Sequence, residues 1–451
     1  MSCGVIFPLP LSRRGATVQA NKRRDKALRA RRADLAQTVR PGDAADAGLE
    51  RSRNLLIALL FFGTIINYVD RQVLSLLKPT ISAEYGWGDA EFAHFASASQ
   101  LAAAAALLFV GWLIDRFGVR IAYGAAVVVW SVAGMAHAVA GTVTQFVTAR
   151  VVLVAAEAVN TPAAVKAAAQ FLPLKRRTMA AGIVNTAPNL GNIIAPLTVV
   201  PFAVAFGWKA AFLVTGALGF IWLAFWIFGT QRLIPVPRAA PATGTGGYRA
   251  ALADRKTWAI AGAKAITDMF WWFFTFWLPD LFHKVFDLSQ SQLVGPTALA
   301  FSLAALGALT AGKLFGVLLG GGRSVNAARK LGMLLYALII LPIPLALTAD
   351  SAWTAAAIIG MALFAHQGFS TNIFGFAADA VPAQRVATVM AIGAIAGNVA
   401  GFGIQEATGR LLTGGYGYAP LFWVAAFAYL IALAWIHLLV PRIFAEDETT
   451  A

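Results

Sequence analysis

From residue 54 onward the chain falls into apolar stretches of about 20 residues, each long enough as a helix to cross roughly 30 Å of hydrocarbon. With 59% apolar and 13% charged residues among 451, it carries more apolar surface than a soluble fold of this length can hide, so lipid must solvate much of it. The spans are helices rather than strands. A membrane barrel needs segments of about ten residues in strict alternation, whereas Leu55 to Ile66 and Ile121 to Ala136 are apolar nearly all round.

The pattern predicts spans at 54–77, 91–113, 119–141, 143–172, 178–203 and 208–231, then at 258–282, 293–319, 329–349, 352–378, 385–413 and 417–441. Between the two sets lies 232–257, where Pro235, Pro237, Pro241 and a Gly-Thr-Gly-Gly stretch read as a linker. The expected organisation is a basic tail (1–53), a six-helix bundle (54–231), the linker, a second bundle (258–441) and a short tail (442–451). An internal echo supports the division into halves. Gly111-Trp-Leu-Ile-Asp115-Arg116-Phe-Gly118-Val-Arg120 follows the second span, and Gly312-Lys-Leu-Phe-Gly316 leading to Arg323 and Arg329 follows the eighth, about 200 residues on. The expected fold class is therefore an all-α integral membrane protein, twelve transmembrane helices in two pseudo-symmetric six-helix bundles. Cations at Arg116 and Arg120, Lys175 to Arg177, Arg232 to Lys256, Arg323 to Lys330 and Arg385 alternate with cation-poor connections, which places both termini in the cytoplasm.

Several function classes are excluded. Cys3 is the one cysteine, so no intrachain disulfide forms, and no His/Cys cluster has metal-ligand spacing; neither metal nor cofactor is expected. The net charge of +15 does not signal nucleic acid, because twelve of the 36 Lys and Arg fall in the first 53 residues and most others in short loops. That tail has no apolar core of its own and precedes a full span, so it reads as a solvated, lipid-facing segment rather than a signal peptide. A membrane enzyme would need a nucleophile with its base, yet the chain has neither a Gly-x-Ser-x-Gly elbow nor a His-Glu-x-x-His helix. A receptor on the same fold would carry an appended signalling domain, for which the tails are short.

The loop Gly111 to Arg120 resembles the signature of the major facilitator superfamily between its second and third helices. More narrowly, Asn67-Tyr68-Val69-Asp70-Arg71, Arg150 with Glu157-Ala-Val-Asn160-Thr-Pro162, Gly320 to Lys330, and His366-Gln367-Gly368 resemble the anion:cation symporter family, within it the hexuronate and aldonate transporters. The resemblance covers residues 54 to 440. It departs from the family at Ala156 and Val159, where glycines flank the fourth-helix glutamate, and at the Ala102 to Ala106 run, where a tyrosine is usual. It implies that Asp70 and Glu157 couple transport to protons and that the adjacent arginine holds a carboxylate. It also implies that Gly111, Asp115, Arg116, Gly118 and Arg120 form a cytoplasmic gate whose charges clasp the outward-facing state.

The residues carry a parallel reading. Ionisable groups inside a span cost several kcal/mol unless paired or hydrated, so the few present are informative. Asp70 and Arg71 lie ~24 Å along the first span, and Glu157 ~21 Å along the fourth, at 1.5 Å per residue. Arg150 and Glu157 are two turns apart on one face, with Asn160 and Thr161 continuing the stripe. Protonation of Asp70 and Glu157 would free Arg71 and Arg150 from ion pairs to attract an anion; the alternative is that Asp70 with Arg71, and Arg150 with Glu157, are fixed pairs that orient helices. For a polyhydroxylated anion, Tyr68, Asn185, Asn189, His366, Gln367, Ser370, Asn372 and Asn398 supply mid-span hydrogen-bonding groups, or hydrogen bonds between helices. Lys264 with Asp268, and Glu406 with Arg410, read as ion pairs at four-residue spacing, and Gly182, Pro188, Gly191 and Pro196 allow the fifth span to bend or pack closely.

The expected partners are a small organic anion, protons and membrane lipid, with no nucleic acid, and the expected state is a monomer in the cell membrane. A sugar acid carried in with protons leads. An exporter on the same fold, or uptake of an aromatic carboxylate suited to Trp271, Trp272 and Phe273, stays open.

Overall fold

A computed structural model describes residues 42–231, 233 and 248–443, and the expectations for the rest of both tails and for most of the linker lie outside these residues. The contact pattern separates Met1–Asn54 from Leu55–Ala451. Of the first unit, residues 42–54 are described and are helical.

The helices are α1 (Gly42–Tyr85), α2 (Asp89–Ala136), α3 (Val143–Glu157), α4 (Asn160–Phe171), α5 (Leu174–Phe206), α6 (Trp208–Thr230) and the short α7 (Tyr248–Ala253). There follow α8 (Arg255–Phe286), α9 (Val294–Gly320), α10 (Val325–Ile340), a 3-10 segment (Ile343–Thr348), α11 (Ala352–Ala380), α12 (Ala383–Thr413) and α13 (Ala419–Leu439). No strand occurs among the described residues. Side-chain caps set several starts: Thr142 accepts from the Gln145 amide before α3, Asp254 from Lys256 before α8, and Ser351 from Thr354 before α11.

Ten helical segments among the described residues are long and apolar enough to cross a membrane, against twelve expected. The difference has two physical sources. α2 is 48 residues long, but Gly118 inside it stands at φ 76°, ψ 152°, so two helices, the expected second and third spans, run on from each other. α8 has the length, at 32 residues, but carries Lys264, Asp268 and Asp280, which lower its hydropathy. Residues 248–253 and 255–257 are helical, so the end of the expected linker is structured.

The fourth span is one run by pattern, and in space its hydrogen-bond ladder is interrupted once. Pro162 has no N–H to give the Ala158 carbonyl, and its ring crowds that carbonyl, so the ladder is interrupted at Ala158–Val159, immediately after Glu157, while both residues keep right-handed helical angles.

Large apolar side chains such as Phe109, Trp112, Phe228, Leu309 and Val317 are exposed, as a lipid-solvated surface requires. We call residues 55–231 the first half and 255–443 the second. They pack through α2 on α12 and α5 on α9. Buried residues near Asp89 and Tyr85, including Val73, Leu77, Phe92 and Phe95, belong to one apolar cluster with α8, α11 and α13. Those toward Asp115, including Leu56, Leu60, Ile114 and Phe171, form a second cluster drawn from the first half and Leu233 just beyond it. The halves are thus joined at the Asp89 end.

Candidate transport site

Successive residues of a helix point about 100° apart, so Asp70 and Arg71 cannot share a partner direction. Arg71 turns toward the fourth span, where its Nε lies 3.0 Å from Glu157 Oε2. Asp70 is buried beside Thr215 of α6. The Arg150–Glu157 stripe does face α1, but its two ends meet different parts of Arg71. Glu157 takes the guanidinium, while Arg150 Nη2 donates to the Arg71 carbonyl at 3.1 Å and Arg150 Nε to Ser99 Oγ at 3.0 Å. The pairs expected within each span, Asp70–Arg71 and Arg150–Glu157, are replaced by one pair between spans.

Both stripe residues are fully buried, at 0% and 1% exposure, and each has an unused atom. Arg150 Nη1 and Glu157 Oε1 lack a hydrogen-bond partner. An orphaned buried polar atom costs ~1–3 kcal/mol, and more when charged, so both groups retain hydrogen-bonding capacity that the protein itself leaves unused. Around them, Asn67 Nδ2 reaches the Glu157 carbonyl at 3.5 Å, and Asn160 Nδ2 donates to Thr64 Oγ1 at 3.2 Å while its Oδ1 accepts from the Tyr123 hydroxyl.

Arg71 is held from the other side by two rings. Its Cζ lies 5.3 Å from the centre of the Tyr68 ring and 5.6 Å from that of Trp272, a residue of α8 in the second half. Trp272 packs beside Gly401 of α12, and its carbonyl accepts from Gln405 Nε2 at 3.1 Å. Tyr68 is reached closely by α5, because Gly191 brings backbone to within 2.6 Å between its ideal Cβ position and Tyr68 Cβ; any side chain there would collide.

The remaining candidates divide. Gln367 Nε2 donates to Asn189 Oδ1 at 3.2 Å, joining α11 to α5 across the halves. Asn398 and Asn372 donate to the carbonyls of Ala394 and Gly368 in their own helices. Ser370 is buried and Asn185 exposed. His366 is committed within the second half: its Nδ1 lies 2.8 Å from the Tyr429 hydroxyl and its ring stacks on Trp271. Lys264 and Asp268 form the expected pair at 2.7 Å. Glu406 does not pair with Arg410; its Oε1 accepts from Ser97 Oγ at 2.6 Å and lies 3.2 Å from His94 Nδ1.

At the Asp115 end, Asp115 pairs with Lys166 of α4 rather than with Arg116 or Arg120, and Arg120 donates to the Leu233 carbonyl while lying over Phe171. Gly111 has open space where a Cβ would be, and Gly118 supplies the left-handed turn. The second half repeats the bond with exchanged charges: Arg329 Nε pairs with Asp379 of α11 at 2.8 Å. The echo loop therefore has its aspartate on a neighbouring helix. Sequence reasoning named Trp272 as an aromatic suited to a carboxylate cargo, and missed Ser99, Lys166 and the buried Gln72–Asn192 contact at 3.3 Å.

Helices of this length, with charged groups paired in the middle of the spans and two bundles meeting through α2–α12 and α5–α9, define a multi-pass membrane carrier. The chain belongs to the Major Facilitator Superfamily, which it matches over residues 60–404. Among curated proteins it is similar to the hexuronate transporter of Escherichia coli (strain K12), 26% identical over 395 residues that cover 82% of this chain and 90% of that one. It is also similar to the probable L-galactonate transporter of the same strain, 28% identical over 367 residues, 76% of this chain and 80% of that one. In three dimensions it resembles a bacterial homologue of the human lysosomal transporter Spinster in an inward-facing and occupied conformation. There the TM-score is 0.66 at 18% identity, covering 88% of this chain and 98% of that chain. The protein is thus a transporter of this superfamily, homologous to sugar-acid transporters.

Proposed function

We propose that the protein is a proton-coupled symporter of an organic anion, a sugar acid such as a hexuronate or aldonate, working by alternating access. The observation that carries this reading is the central triad: Arg71 held by Glu157, and Arg150 beside it with an unused N–H in a fully buried setting. A proton on Glu157 removes the charge that neutralises Arg71, which leaves two guanidiniums to receive a carboxylate. Loss of that proton restores the internal pair and expels the anion. Asp70 is the second coupling carboxylate. The amides of Asn189, Gln367 and Asn398 and the hydroxyl of Tyr68 face the polyol part. The names of the relatives, hexuronate and L-galactonate transporters, favour this class.

Twelve crossings with both termini in the cytoplasm follow from the cation pattern, which makes the Asp115 end cytoplasmic and the closed Asp89 end external. The protein acts as a monomer in the cell membrane, the inner one in a Gram-negative bacterium. The rings of Tyr68 and Trp272 over Arg71 favour one second reading, an aromatic carboxylate as cargo.

The test is a panel of hexuronates, aldonates, aldarates and aromatic carboxylates, scored by thermal stabilisation of the purified protein and then by uptake into proteoliposomes under an imposed pH gradient. Stabilisation by a sugar acid that vanishes in Arg150→Met, with uptake driven by an inward proton gradient, supports the reading. Uptake of the same anion at equal rate with and without the gradient refutes the coupling.

A further inference from the structure

The densest set of charges outside the central site lies at the Asp89 end, on the seam between the halves. Lys78 of α1 sits with its Nζ 2.7 Å from Asp89 of α2 and 2.8 Å from Asp280 of α8. Lys284, one turn beyond Asp280, lies 3.2 Å from it and also pairs with Asp89. The four groups form a square in which cations and anions alternate. Lys78 is buried between the rings of Trp277 and Phe92, at 4.4 and 4.8 Å from their centres, and the Tyr418 hydroxyl donates to Asp280.

The backbone on the two sides of the seam is prepared in the same way. Pro79 follows Lys78 and Pro279 precedes Asp280, about 200 residues apart like the loop echo. A proline inside a helix leaves the carbonyl four residues back without its helical donor. For Pro279 that carbonyl belongs to Thr275, and the Ser75 hydroxyl of the opposite half lies 3.2 Å from it and 2.5 Å from the neighbouring Phe276 carbonyl. Gln290 returns the contact, donating to the Leu76 carbonyl.

We propose that Lys78, Asp89, Asp280 and Lys284 form a partner-exchange clasp that sets the equilibrium between the closed and open states of the Asp89 end. Of the four sides of the square, two cross the seam, Lys78–Asp280 and Lys284–Asp89. Two stay within a half, Lys78–Asp89 in the first and Asp280–Lys284 in the second. Opening breaks the crossing pairs and keeps the internal ones, so each half parts with one cation and one anion still together and no net charge is bared. A seam with both cations on one half would leave two like charges on each face, and the end would stay shut. The clasp is thus strong enough to close a buried seam and arranged so that closure is reversible.

This inference rests on the alternating-access reading but not on the cargo or the proton, and its test adds neither. In the full chain carrying Cys3→Ser and Ser75→Cys, reconstituted in vesicles, the reaction rate of the seam thiol with a membrane-impermeant maleimide is measured from the Asp89 side. Asp280→Asn removes one crossing attraction and should raise the rate about tenfold. Lys78→Asp combined with Asp280→Lys keeps opposite charges across the seam but places like charges within each half. It should lower the rate about tenfold, because opening now bares two repelling pairs. If that double variant fails to give a monodisperse protein, Asp89→Lys with Lys284→Asp makes the same rearrangement on the other crossing pair and carries the same expected sign. Opposite signs for neutralisation and charge exchange support the clasp. Rates that rise in both, or move in neither, overturn it, since a cluster that merely stabilises packing would be loosened by either change.

Discussion

Glu157→Gln is the perturbation that most directly separates a coupling carboxylate from a structural one. At the observed 3.0 Å, with an effective dielectric constant of about 20, the Arg71–Glu157 attraction is about 5.5 kcal/mol. Desolvation of both buried groups offsets much of this, leaving a net on the order of 2 kcal/mol that an incoming anion must displace. Removing the carboxylate charge removes the competitor, so the anion should bind about 10- to 100-fold more tightly, 1.4 kcal/mol being worth a factor of ten. Affinity is read by titrating stabilisation or by counterflow in proteoliposomes loaded with unlabelled substrate. The sign with pH follows from the same displacement. Raising the pH returns the charge to Glu157, so affinity in the parent falls as pH rises, while in Glu157→Gln it stays flat. Net accumulation under a pH gradient should be lost even though exchange persists. Should Glu157→Gln still accumulate substrate against a gradient, or bind it more weakly at every pH, the displacement argument fails.

Asp70 touches neither guanidinium within ion-pair distance among the described residues, so Asp70→Asn should change anion affinity by less than about threefold while abolishing gradient-driven accumulation; the pair of assays above checks both. His366 is spent on Tyr429 and Trp271, so His366→Phe should leave the pH profile of uptake unmoved and lower the melting temperature, through loss of one buried hydrogen bond of ~1 kcal/mol. Gly118 stands at φ 76°, ψ 152°, a region open essentially to glycine; Gly118→Ala should cost ~1–3 kcal/mol, seen as a lower melting temperature with the site's anion affinity unchanged.

Much of the fold was legible because lipid imposes a length on every span and allows few charges inside one. The places where the reading slipped have local causes. The run Asp89–Ala136 reads as two spans by its loop signature and as one helix by its hydrogen bonds, and Gly118 reconciles the two. α8 was legible as a span by its long apolar run, with Lys264 and Asp268 read as an internal ion pair; by the mean hydropathy of its charged stretch it falls outside the ten. The interruption after Glu157 was written in Pro162, whose missing N–H falls on Ala158, although the span keeps its helical course through Ala158 and Val159.

The site was legible as a set of residues and not as a set of pairs. Arg71, Arg150 and Glu157 stand out because a charge in an apolar run needs a reason, but which cation meets which anion depends on the rotation of α1 against the fourth span, 86 residues away in sequence. Spacing within one helix suggested Arg150 with Glu157; packing between helices gives Arg71 to Glu157 and leaves Arg150 with a hydroxyl, a carbonyl and an unused donor. The same limit hid Lys166 from Asp115, Asp379 from Arg329 and Lys78 from Asp280, each an ion pair made between helices. In a membrane bundle the cost of burying a charge fixes where ionisable residues are retained, while the seams between rigid helices decide their partners. A carrier that works by parting such seams therefore keeps its switching chemistry in pairs that one-dimensional spacing cannot display. The two prolines 200 residues apart, beside Lys78 and Asp280, are a sign of the seam at the Asp89 end that the chain carries in its repeat.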